Sequence, residues 1–127
     1  MSHNAKSESE RTPIEDLVAN AAEDWVYAGE VLHIAHEYGV VDLDLRRDAA
    51  IGLIAAAMRR GLLLPGRPVG KDFVPWELNM ADSLWRIVED WSARDNPLVG
   101  PGEIVWLAVT PEGERMAREI WNREASR

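Results

Sequence analysis

Residues Asp48 to Met58, DAAIGLIAAAM, contain a single polar side chain, Asp48 itself, and read as a helix that is apolar nearly all round. At the helical period Arg47, Ile51, Ile54 and Met58 share one face, and Arg46, Ala49, Leu53, Ala56 and Arg60 share the opposite one. Only the ends are polar. Such a helix is expected to be buried on two sides, either within its own domain or against another subunit. The chain must therefore supply two layers of cover or find one of them elsewhere, so self-association as a homodimer is an expected property.

With 127 residues and 46% apolar content, the chain can bury one core, and a single domain over residues 12–127 is expected. Residues 1–11 offer almost nothing to bury and are expected to form a disordered tail. Cysteine is absent, which excludes disulfides, thiolate metal sites and thiol nucleophiles. The opening residues lack the apolar run of a signal peptide, and no segment approaches the roughly 20 apolar residues that cross a bilayer. A soluble protein of the reducing cytoplasm, without a membrane partner, is the expectation.

The net charge of −8 disfavours unguided attraction to nucleic acid or anionic lipid and favours basic partners. Its distribution is uneven. Residues 1–45 carry ten acidic and two basic groups, and residues 72–127 carry eleven and six. Between them Arg46, Arg47, Arg59, Arg60, Arg67 and Lys71 face the single acid Asp48, so a basic centre sits in an acidic chain.

Local signals give a helix-rich order. Thr12, Pro13 and Glu15 form a capping box for a helix running to about Gly29, with Ile14, Leu17, Val18, Ala21, Trp25 and Ala28 on its apolar face and Glu15, Asp16, Glu23 and Asp24 opposite. A second helix spans Glu30 to Tyr38 before Gly39, and a third spans Leu45 to Arg60 before Gly61. Leu62 to Leu64 predict a strand, with Phe73, Val74 and Trp76 returning as its hairpin partner. Asn79 caps a fourth helix over residues 79–94, Ile104 to Val109 predict a buried strand, and Thr110 with Pro111 starts a last helix reaching Arg123. The fold class is α+β and mainly helical, with a small antiparallel sheet.

Two segments carry a family resemblance. WLAVTPEGERMA, residues 106–117, is similar to the strand-then-helix pattern L-T-x-x-G-x-x-x-A that closes the wing of winged helix-turn-helix regulators, with Val109 in place of the usual Leu. Ala49 to Leu64 resembles that family's third helix running into its second strand. The resemblance implies a winged-helix-like scaffold, here with a helix inserted between the wing strands, and a third helix that enters the major groove. Base edges are read there by Arg, Lys, Asn, Gln, Ser or Thr. The stretch from Ala49 to Met58 has none of these, so base readout is expected to be lost. Phosphate contacts need only positive charge, and Arg46, Arg47, Arg60, Arg67 and Lys71 are the candidates for them.

Other chemistry is sparse. His33 and His36 with Glu37 (HIAHE) have helical spacing for a metal pair but not the H-E-x-x-H order, and the remaining His3 lies in the tail. No serine stands in a nucleophile elbow, and LPGRPVGK lacks the order of a phosphate-binding loop. No cofactor and no catalysis are implied. Of six tryptophans most are expected in the core, with Trp76 and Trp85 as the candidate anchors for a protein partner. The leading expectation is a non-catalytic protein-interaction or self-association domain, in one version an acidic antitoxin or immunity-type protein that masks a basic partner. The alternative is a dimeric DNA-binding regulator that grips phosphates through residues 46–71.

Overall fold

A computed structural model describes residues 11–126. Residues 1–10 of the expected tail, His3 among them, lie outside the described residues. Helix α1 (Pro13–Glu23) starts at the capping box: the Thr12 hydroxyl accepts from Glu15 N at 3.2 Å and the Glu15 carboxylate accepts from Thr12 N at 2.9 Å. The helix ends at Glu23, well short of Gly29. Trp25, Val26 and Tyr27 are aromatic or β-branched, and Val26–Tyr27 form a short strand, β1, against Leu107 and Trp106. Tyr27 then becomes the N-cap of α2 (Ala28–Glu37), where Glu30 accepts from Tyr27 N at 3.0 Å. Gly29 does not end a helix. It lies in the first turn of α2, where a Cβ would stand 2.4 Å from the Val99 carbonyl oxygen of a crossing loop.

Helix α3 (Leu43–Arg59) begins at Asp42, whose carboxylate accepts from Leu45 N at 3.0 Å, and stops before Gly61 in the left-handed region at φ 72°. Strands β2 (Leu63–Val69) and β3 (Asp72–Pro75) make a hairpin, but not with the expected partners: β3 pairs with Gly66 to Val69, Arg67 facing Val74, while Leu63 and Leu64 pair with Val109 and Ala108. Helix α4 (Met80–Ser92), capped by Asn79, follows, then β4 (Trp106–Val109) and α5 (Pro111–Ala125). The sheet is antiparallel in the order β1-β4-β2-β3, so β4 pairs with β1 on one side and with β2 on the other. The fold is thus mainly helical α+β, with three helices before the hairpin, one inserted after it and one at the end.

One core holds these parts together. Leu17, Ile34, Ile54, Leu63, Ile87, Trp91 and Leu107 are fully buried, each worth about 1.5–3 kcal/mol against exposure. Helix α1 packs on α5, α3 and β4, while α2 and α4 pack on α3. The tryptophans depart from expectation. Only Trp91 is wholly buried; Trp25, Trp76, Trp106 and Trp121 are half-buried at the core's margin, and Trp85 is 63% exposed.

The start of the fold is fastened by charge. Asp16, expected on the solvent face, is 1% exposed. Its carboxylate lies 3.2 Å from the Arg11 guanidinium and 2.6 Å from the Tyr38 hydroxyl, which also lies 2.8 Å from the Arg11 carbonyl oxygen. Arg11 therefore belongs to the fold and not to the tail: its fork also grips Glu124 of α5 at 2.6 and 2.7 Å. Burial and the neighbouring Asp16 push the Tyr38 phenol above its ordinary range, so it stays protonated. Arg123 hydrogen bonds hold Glu15 below the usual carboxylate range, and Arg11 does the same for Glu124.

Carboxylates with lowered folded values contribute stability that is present above the unfolded value near 4.5 and is lost as pH falls through the folded values. The melting temperature should accordingly hold steady from neutral pH down to about 5 and drop below 4.5. Glu124→Gln should flatten that acid slope in thermal melts followed by circular dichroism. A variant with the unaltered slope would remove Glu124 from the acid response.

Candidate protein interface on the third helix

Helix α3 is buried along one side only. Ala50, Ile54, Ala57 and Met58 face the core, while Leu45, Ala49, Gly52, Ala56 and Arg59 follow one another at helical spacing along the outer side. Among the described residues the two-sided burial expected from the sequence is therefore absent. The reason is that α1 and α2 lie on the inner side with α4, and no described element crosses the outer one. Leu45 is 62% exposed and Leu43, the first residue of α3, 37%, and the preceding turn adds Val41 at 70%. Beside this stripe Pro13, Ala35, Tyr38, Val40, Ala49 and Leu53 line an apolar groove of about 270 Å³, with Gly52 at its edge. A Cβ on Gly52 would meet nothing within 4 Å.

The candidate phosphate contacts separate into two groups. Arg46 turns back on its own chain, donating to the carbonyl oxygens of Val40 at 3.0 Å and Val41 at 2.6 Å, and so clamps the turn between α2 and α3. Arg47 lies against Asp48 at 3.3 Å and Asp44 at 3.6 Å, with 17% of its side chain exposed. Arg60, Arg67 and Lys71 are exposed, at the end of α3, on β2 and in the hairpin turn respectively. The structure thus does not bring the five residues together as one free basic face. The carbonyl clamp by Arg46 carried no sequence signal, because its acceptors are backbone atoms.

Trp76 and Trp85 differ as anchors. The Arg86 guanidinium stacks 4.0 Å from the centre of the Trp76 ring, which is half-buried, whereas Trp85 stands out from α4. His33 and His36 are both exposed, with ring centres 6.5 Å apart and His33 3.8 Å from Glu37. Among the described residues no group of three or more His, Asp or Glu side chains converges as a metal site. Among the same residues no helix is long and apolar enough to cross a membrane. Comparison of the chain with family models, with curated proteins and with solved structures returned no match.

Proposed function

We propose that this protein is a self-association domain, without catalysis, on a winged-helix-like scaffold, and that the outer face of α3 is the contact. The observation that carries the reading is Gly52. A glycine inside a helix costs about 0.5–1 kcal/mol relative to alanine. Nothing among the described residues needs it there, since a Cβ would meet none of them within 4 Å. Close approach of another molecule's backbone is a use for it, and the flanking Leu45, Ala49 and Ala56 give a smooth apolar track on either side. A second copy crossing at Gly52 would supply the missing second layer over α3 and cover Val41 and Leu45 at once.

The scaffold reading is supported by the order of elements, in which α1, β1, α2, α3 and β2 precede the inserted part, and by the seat of the Thr110-x-x-Gly113 turn. The Thr110 hydroxyl accepts from Gly113 N at 3.0 Å and donates to the Gly61 carbonyl oxygen at 2.6 Å, tying the end of α3 to the start of α5. The DNA-binding alternative draws on the exposed Arg60, Arg67 and Lys71. Against it stand the engaged Arg46 and Arg47 and an outer α3 face without base-reading groups.

Light scattering after gel filtration should give twice the 14.3 kDa chain mass for the parent protein and a single chain mass for Gly52→Leu and Leu45→Asp. Gly52→Ala should stabilise the monomeric fold by about 0.5–1 kcal/mol in urea melts while weakening the dimer. A parent protein that stays monomeric up to millimolar concentration would overturn self-association. In the same preparations, duplex DNA binding that collapses between about 50 and about 200 mM salt would favour the regulator instead.

A further inference from the structure

A second concave site lies away from the outer face of α3. It opens where the end of α3, the start of β2, the end of β3 and the first turn of α4 meet, and its volume is about 260 Å³. Met58, Leu63, Pro65, Trp76 and Met80 supply its apolar walls, and none of its lining residues is charged. Two hydroxyls reach it. That of Thr110 is engaged on both sides, by Gly61 and Gly113. The other belongs to Ser83, a residue 2% exposed that lines the cavity.

Among the described residues no buried side-chain nitrogen or oxygen is left without a partner, so a purely apolar guest that sealed the cavity over Ser83 would strand its hydroxyl, which a guest with a hydroxyl of its own avoids. The walls exclude charged guests, because a carboxylate, phosphate or ammonium would be desolvated with no counter-charge. Size narrows the choice further. An apolar cavity of about 150 Å³ accommodates benzene, so about 260 Å³ has room for one ring with a hydroxyl and a short substituent. The Arg86 guanidinium braces Trp76, keeping one flat wall in place for a ring to stack on.

We propose that this cavity binds a neutral, single-ring aromatic alcohol, with the ring between Trp76 and the methionines and the hydroxyl on Ser83. The test uses the ¹⁵N-labelled full chain titrated with p-cresol and with toluene, which share ring and methyl group but differ in the hydroxyl. Saturable shifts are expected for amides of residues 58–64 and 80–84 and for the Trp76 indole N–H. p-Cresol should bind about tenfold more tightly than toluene. Ser83→Ala should erase that difference and leave toluene binding in place. Met80→Trp, a change at the half-open rim where Met80 is 45% exposed, should block both ligands. Absence of saturable shifts at these positions, or a p-cresol preference that survives in Ser83→Ala, would overturn the proposal.

Discussion

Trp91→Ala should lower the unfolding free energy by about 3–5 kcal/mol, the cost of deleting a large buried aromatic together with the cavity left behind. Trp91 is 0% exposed at the centre of the core, between α4 and the elements α4 packs on. It also holds the loop that follows: its indole Nε1 donates to the Pro97 carbonyl oxygen at 2.9 Å, a buried bond. Removing the ring therefore unpins residues 93–105 as well as emptying the core. Urea denaturation should show a lower midpoint, and hydrogen exchange should accelerate through that loop. Trp91→Phe separates the two contributions, since it keeps most of the apolar body and loses the bond, worth about 1 kcal/mol. Equal losses in the two variants would mean that the hydrogen bond, and not the packing, dominates.

Gly113→Ala should be destabilising by about 3 kcal/mol, opposite in sign to the effect expected at Gly52 although both glycines are helical. A Cβ on Gly113 would stand 2.3 Å from the Leu62 carbonyl oxygen and 2.6 Å from Val109 Cγ2. The first obstacle is backbone, so α5 must move away from the turn between α3 and β2. That movement would stretch the Thr110 bonds to Gly61 and Gly113 and the Thr110 N bond to the Leu62 carbonyl oxygen at 3.0 Å. The expected result is a lower melting temperature in thermal unfolding, with a crystal or solution structure showing α5 displaced at its first turn. A melting temperature at or above that of the parent would show that this contact is looser than its geometry implies.

The difference between the two glycines explains what could be read from the residue order. Caps are local: Thr12, Asn79 and Thr110 each sit within three residues of the amide they satisfy, and those three helix starts follow from the sequence, whereas α3 starts at Leu43, ahead of the expected Leu45, because Asp42 caps it. The helix inserted after the hairpin was legible for the same reason. Strand β1 was not, because its apolar residues continue the helical pattern of α1 and its partners, Leu107 and Trp106, are some 80 positions away. Asp16 reads as a surface charge until Arg11 and Tyr38 close over it. At the candidate interface the apolar character of α3 was plain, but which side of it would be left open depends on where α1, α2 and α4 settle. Ser83 gave no signal at all, since a lone serine in a helix takes its meaning from the walls around it.

Strand β4 occupies an interior place in the sheet, yet among the described residues it comes last of the four strands in chain order. Both of its neighbours, β1 and β2, are made long before it and are not paired with each other. Until residues 106–109 leave the ribosome, the growing chain carries two strands that lack their common partner. Completion of the sheet must wait for residues 106–109, with the cost in loop closure that such distant pairing entails. During that interval the unpaired edges are open to the wrong neighbour, which makes the nascent chain the vulnerable form of this protein.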